Sequence, residues 1–336
     1  MKSNTWDNLV RMNPVLGYID ANLRGASQVF FQNNPLTGGL ILAGIFWGAH
    51  AAQNLSVAFG AVIGLLVATS MAILLDLDRA SLQQGFFGFN GILVGVAVPT
   101  FLGIRPMMWG YLVLGAAVST IVTLAIDKVV RTWGVPGSTA PFVFTTWLLL
   151  LGAYSFAKVP IAAMGPAALP VAGGAGSVPF SIHILLSIFS KNFSQVYLIG
   201  NVLTGILFII AIAINSTRAA AFAVIGSIAG MSVALMLSAR PAAITEGLYG
   251  FNAVLTAMAV ENVFRRTTLR RDLYAILAAI FSVVVEAALV AALSPIGIPA
   301  LTFPFVLTMW LFLLPKEEVV SHAHHLPDLS GVLLKK

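Results

Sequence analysis

The stretch GSTAPFVFTTWLLL, residues 137–150, returns as ALTFPFVLTMWLFL at residues 300–313, with Thr, Pro, Phe, Val, Thr and Trp kept in register. A run of apolar residues needs no hydroxyl to cross a bilayer, so a threonine held at the same place in both copies, Thr139 and Thr302, calls for a reason. Two further stretches echo in the same order: SQVFFQNNPLTG (27–38) with SQVYLIGNVLTG (194–205), and GFFGFNGILVGVAV (85–98) with GLYGFNAVLTAMAV (247–260). The offsets are 163, 167 and 162 residues. Blocks in one order at near-constant spacing mark an internal duplication of about 160 residues. Its seam falls in the Gly-, Pro- and Ala-rich chain at 159–178. The organisation expected is a first repeat at 1–158 that carries a cytoplasmic N-terminal segment, a linker at 159–178, a second repeat at 179–316 and a cytoplasmic C-terminal tail at 317–336.

The composition sets the class. Of 336 residues, 59% are hydrophobic and 9% charged, and the mean hydropathy is +0.95, whereas a soluble domain carries about 25% charged residues. This composition is that of an integral membrane protein. Apolar runs lie near 36–57, 60–75, 88–103, 107–126, 139–157, 196–215, 219–238, 251–263, 273–293 and 299–315, and several approach the roughly 20 residues of a spanning helix. Others are short and studded with Gly and Pro, as in GFNGILVGVAVPTFLG at 88–103. Broken backbone is tolerated at membrane depth only where it faces protein or a water-filled cavity. Five runs in each copy, an odd number, force the second copy to enter the membrane from the opposite side. The fold expected is therefore an all-α integral membrane protein of about ten transmembrane helices in two inverted repeats of five, with short re-entrant or broken pore helices and a site at the pseudo-two-fold axis near the midplane.

Charge supports a topology rather than a nucleic-acid partner. With the N-terminus placed in the cytoplasm, Arg105, Lys158, Lys191 and Arg240 fall outside, and the other fourteen of the 18 Lys and Arg fall inside, as the positive-inside bias requires. Residues 1–27 hold Lys2, Asp7, Arg11, Asp20 and Arg24 without a long apolar core, so a cleaved signal peptide is not expected. The absence of cysteine removes disulfides, thiolate metal sites and thiol nucleophiles.

The echoed blocks carry little that ionises. Coupled carriers usually need intramembrane carboxylates; in their place stand Gln28 and Gln195, neutral side chains with one acceptor and two donors, suited to a polar uncharged solute. Aromatic residues accompany them, of which Phe89 and Phe251 precede Asn in the repeated GFN and are candidates to flank something flat. Asn90 and Asn252 read either as solute contacts or as pins for irregular backbone. Gly91 with Gly95, and Ala253 with Ala257, have the spacing of close helix packing. Pro141 and Pro304 start or kink a helix. Thr139 and Thr302 can bond their own helices or line the centre of a path.

Together QVFFQNNPLTG, the twice-used GFNxxL and the twice-used PxxTxPFVxTxW make the sequence resemble the urea transporter (urea channel) family, of the bacterial type, over nearly its whole length. The resemblance implies a homotrimer in the cell (inner) membrane with both termini cytoplasmic, each protomer passing urea passively through its own pore, with no cofactor or metal and only lipid and urea as further partners. It also implies the site: Gln28 and Gln195 as side-chain acceptors, Phe31, Phe89, Leu93, Phe251 and Leu255 as ring and leucine walls, and Thr139 and Thr302 as the constriction. One departure is Leu198, which stands where the second copy should match Phe31; either Tyr197 beside it supplies the ring, or that wall is built from other residues.

Rival readings remain at this level. An ammonium or other small-solute channel would want paired pore histidines, and His50 and His183 are unmatched between the copies. An ion-coupled secondary transporter would use Glu286, which sits inside a span opposite Thr123 of the first copy and outside the symmetric set. An intramembrane enzyme is not expected, since no nucleophile, base and carboxylate recur. The SHAHH at 321–325 reads as a solvated tail or a metal ligand.

Overall fold

The computed structural model describes residues 5–171, 176–263 and 268–316. Over these the chain is helical, with one isolated antiparallel bridge between Leu102 and Ile161. Helices α1 (Thr5–Met12) and α2 (Pro14–Gln28) lead into α3 (Pro35–Ala51), α4 (Leu55–Leu74), the short α5 (Arg79–Gln83), α6 (Gly88–Phe101), α7 (Pro106–Val130) and α8 (Ala140–Ala153). Then follow α9 (Ile182–Ser194), α10 (Val202–Asn215), α11 (Thr217–Met236), α12 (Pro241–Thr245), α13 (Phe251–Val263), α14 (Leu269–Leu293) and α15 (Phe303–Leu313). The series α9–α15 repeats the order of α2–α8. Lengths recur too: 20 residues in α4 and α11, 5 in α5 and α12, 25 in α7 and α14.

Backbone exceptions recur at the same offsets. Left-handed residues pair as Phe31 (φ 58°) with Leu198 (57°), Asp76 (50°) with Ser238 (51°), Ser138 (49°) with Leu301 (55°), Gly85 with Gly247 (both 77°), and Gly134 (69°) with Gly297 (66°). A non-glycine residue held there costs about 1–3 kcal/mol and persists only where its surroundings over-determine it. Three such pairs therefore mark places where the same contacts are made twice.

Among the described residues, four helical segments are long and apolar enough to cross a membrane: Leu55–Leu74, Pro106–Trp133, Thr217–Met236 and Leu269–Ile296. Helix α9 with its following turn and α10, bent by 75°, add a fifth as a broken span, while α3, α6, α8 and α15 are apolar but shorter. The apolar run at 36–57 is not one helix. It breaks after Ala51, where Gln53 takes φ 54° and α4 starts at Leu55.

Helices α2 and α9 are absent from the apolar runs, because their buried faces are partly polar. Asp20 and Asn22 are buried. Asp20 accepts from Arg24 Nε at 2.6 Å and Trp6 Nε1 at 2.7 Å. On α9, Asn192 Nδ2 donates to the Ser227 carbonyl at 3.2 Å and hydroxyl at 3.0 Å. A helix packed on protein can satisfy such groups without meeting lipid, so hydropathy does not reveal it.

Close packing uses the small residues. A Cβ on Gly64 of α4 would stand 2.2 Å from the Gly91 carbonyl oxygen of α6, and one on Gly95 would stand 2.0 Å from that of Gly60. Gly91 and Gly95 thus serve helix approach. Between the two series of helices the contacts are exchanged in both directions. Thr37 Oγ1 donates to Ala211 O at 2.8 Å while Thr204 Oγ1 donates to Gly44 O at 2.9 Å. Trp147 Nε1 donates to Pro299 O and Trp310 Nε1 to Pro136 O, both at 2.8 Å. Residue i touching j′ while i′ touches j is what a two-fold relation between the contacting segments produces.

The stretch at 159–178 is docked rather than loose where it is described. Ala162 N donates to Phe101 O at 2.9 Å, and Ala168 N donates to Ser294 O at 3.0 Å. Residues 172–175 of that linker, and the tail at 317–336 with its SHAHH at 321–325, lie outside the described residues.

Candidate functional site

Helices α8 and α15 begin immediately after Thr139 and Thr302, which hold their N-cap positions. A threonine there ordinarily accepts an N–H of the first turn. Neither does so here. The caps come from neighbouring helices: Asn90 Oδ1 of α6 accepts from Phe142 N at 3.1 Å, and Asn252 Oδ1 of α13 accepts from Phe305 N at 3.2 Å. Each amide nitrogen then donates twice, Asn90 Nδ2 to Thr123 Oγ1 (3.2 Å) and Ser138 O (3.4 Å), and Asn252 Nδ2 to Glu286 Oε2 (2.5 Å) and Leu301 O (3.2 Å). The asparagines are backbone pins, and the carbonyls they hold belong to the left-handed Ser138 and Leu301.

Relieved of capping, the two threonine hydroxyls bond each other, with Thr139 Oγ1 and Thr302 Oγ1 2.8 Å apart and both residues buried. This differs from the expected pair of opposing sides. A 2.8 Å bond leaves no gap between the hydroxyls, so anything moving past them moves beside the pair.

The glutamines are oriented in the same way in both copies. Gln28 Nε2 donates to Gln84 O and Gln195 Nε2 to Glu246 O, each at 2.8 Å. With the amide nitrogens committed, Oε1 is the end of each side chain left to accept. The turns that present these carbonyls need glycine next: Gly85 has φ 77°, and a Cβ on it would stand 2.2 Å from Gly25 N.

A cavity of about 960 Å³ reaches from the surface to Thr139. Four of the expected residues, Gln28, Phe31, Phe89 and Thr139, line it together. The Phe31 ring stands edge-on to Phe305, with centroids 6.0 Å apart. The outer part of the cavity carries Asp78, Lys128 and Arg131. The Ser81 backbone N–H, at 2.8 Å, holds the Asp78 carboxyl below the usual carboxylate range. Leu93, Gln195, Phe251, Leu255 and Thr302 do not line this cavity. Leu93, Phe251 and Leu255 are buried; Thr302 touches the cavity's end through Thr139.

Leu198 takes the backbone conformation of Phe31 and lines a separate cavity of about 250 Å³. Tyr197 does not substitute for the missing ring. It is fully buried, donates its hydroxyl to Ala26 O at 2.5 Å, and packs on Phe30 and Phe208. Glu286 stands opposite Thr123, where the offset between the copies puts it, and the paired clamps bring it into the set that recurs. No side-chain pattern marks the carbonyls of Gln84 and Glu246, whereas the two tryptophans, Trp147 and Trp310, are repeated in the opening echo.

A family model described as Urea transporter matches residues 19–317. Curated proteins similar to the chain include Urea transporter 1 of Capra hircus, 31% identical over 309 residues that cover 89% of this chain and 77% of the relative. Urea transporter 1 of Ovis aries is 32% identical over 310 residues, with the same coverage. Urea transporter 1 of Rattus norvegicus is 32% identical over 317 residues, covering 90% of this chain and 78% of the relative.

Proposed function

This chain belongs to the urea transporter family, and from that premise we propose that it passes urea passively across the membrane through a path within each protomer. The observation that carries the reading is the orientation of Gln28, whose amide nitrogen is held by Gln84 O so that its carbonyl oxygen is free in a cavity ending at Thr139. Urea entering an apolar environment loses about 4–8 kcal/mol per unsatisfied polar group. Acceptors spaced along a wall replace the lost water, and several weak sites allow release better than one deep one.

In this reading Gln28 and Gln195 accept urea N–H groups on the two sides, Phe31, Phe89 and Phe251 with Leu93 and Leu255 form the flat walls, and Thr139 with Thr302 forms the waist. The N-termini of α8 and α15 both meet the waist, and the positive ends of two helix dipoles there disfavour cations. The paired clamps, the recurring left-handed residues and the exchanged Trp and Thr bonds support two inverted repeats divided by the stretch at 159–178. Five spans per repeat would be α3, α4, α6, α7 and α8, then α10, α11, α13, α14 and α15, for ten in all. A homotrimer in the inner membrane with cytoplasmic termini completes the proposal, the orientation resting on the charge bias.

Purified protein in liposomes should accelerate urea uptake in stopped-flow measurements without a sodium or proton gradient. Uptake no faster than in empty vesicles would sink the proposal; uptake that needs a proton gradient and Glu286 would favour a coupled carrier.

A further inference from the structure

The two asparagine clamps match in every bond but one. The acceptor on the adjoining long helix is a hydroxyl, Thr123 of α7, for Asn90, and a carboxyl, Glu286 of α14, for Asn252. Glu286 is buried, at 5% exposed. A carboxyl at membrane depth is expensive, and it is retained when a specific partner uses it.

Asn252 is that partner. Its oxygen takes Phe305 N, one amide hydrogen goes to Leu301 O, and the other goes to Glu286 Oε2. Leu301 and Phe305 flank Thr302 in the chain, so this one side chain grips the turn on both sides of the residue whose hydroxyl meets Thr139. An amide is nearly symmetric in shape, and only its hydrogen bonds decide which end faces which way. Turned over, Asn252 would set its NH2 against the Phe305 N–H.

We infer that Glu286 is a positioning residue of the transport path: as an acceptor it fixes the orientation in which Asn252 holds the Leu301–Phe305 turn, and so aims the Thr302 hydroxyl at Thr139. What the site requires is an acceptor, not a charge, because Thr123 does the same work in the other clamp. The inference rests on the reading of Thr139 and Thr302 as the waist of a urea path.

The test is urea flux in liposomes, normalised to protein, with the flux of each variant set beside its thermal unfolding. Glu286→Gln, which keeps an acceptor oxygen, should hold flux within about twofold, and Glu286→Leu, which has none, should lower it about tenfold, the consequence of one buried donor left unpaired. Asn252→Asp alone removes the donor that Glu286 Oε2 and Leu301 O share and should also lower flux. Combined with Glu286→Gln it should recover in part, since the glutamine amide then donates to the carboxylate and the other oxygen still takes Phe305 N, while Leu301 O stays without its donor. A double variant as slow as Asn252→Asp alone, or Glu286→Leu at full flux, overturns the inference and leaves urea transport standing. Wild-type protein without urea flux overturns the reading beneath it.

Discussion

Thr139 and Thr302 lie 163 residues apart in sequence and 2.8 Å apart in space, hydroxyl to hydroxyl, each at the N-cap of a different helix. Neither side chain caps its own helix. Capping from Asn90 and Asn252 is what turns two ordinary N-cap residues into one shared polar point in an apolar interior.

The first prediction concerns this pair. Thr139→Val or Thr302→Val keeps the volume but strands the partner hydroxyl, which costs about 1–3 kcal/mol when buried. Each single variant should slow urea flux about tenfold. The double variant, with nothing left unpaired, should fall short of the product of the two. Flux unchanged in both singles and the double, at matched protein density, would put the threonines off the path.

Gln28→Leu removes an acceptor from the cavity and leaves Gln84 O without its donor. A net hydrogen bond of about 1 kcal/mol predicts roughly fivefold slower urea flux, and Gln195→Leu should behave alike because Glu246 O loses the equivalent bond. Stopped-flow light scattering on both variants settles it; a loss from one glutamine and none from the other would mean that the path uses only one side.

Leu198 sits in the same left-handed backbone as Phe31, so Leu198→Phe adds a ring without new backbone strain. The second slot should become flatter and narrower. Thiourea or methylurea flux should fall relative to urea flux in Leu198→Phe, by a factor of a few, the size that one apolar contact supplies in discrimination. An unaltered ratio would remove Leu198 from the solute's surroundings.

Helix approach gives a stability prediction independent of transport. Gly64→Ala would place a Cβ 2.2 Å from Gly91 O, whereas Gly39→Ala on α3 meets no heavy atom within 4 Å. Overpacking of about 1–3 kcal/mol should lower the unfolding temperature of detergent-solubilised Gly64→Ala. Gly39→Ala should unfold at the wild-type temperature or slightly above, since alanine is the better helix former by about 1 kcal/mol. Equal unfolding temperatures would mean that α4 and α6 can separate without loss.

How much of this was legible beforehand follows the physics of each feature. The membrane class, the duplication and the family were carried by composition and by the three echoed blocks, because greasiness and repetition are properties of the string itself. The half-buried helices α2 and α9 were not, because Asp20 and Asn192 sit on faces packed against protein, where Trp6 and Ser227, brought in from other helices, give them hydrogen bonds. Tyr197, beside Leu198 in the chain, lies in the core and not in the second slot, and Ala26 O accepts its hydroxyl.

The sequence by itself determined that Thr139 and Thr302 come as a pair, that neutral glutamines accompany them, and that small residues line two helix faces. The tertiary structure decided what those residues face. It brought the threonines into contact rather than across a gap, turned Gln28 so that its oxygen is free, and set Glu286 against the Asn252 amide. Each of those outcomes depends on hydrogen-bond geometry between segments 34 to 163 residues apart, and that geometry is a property of the fold that residue identity leaves open.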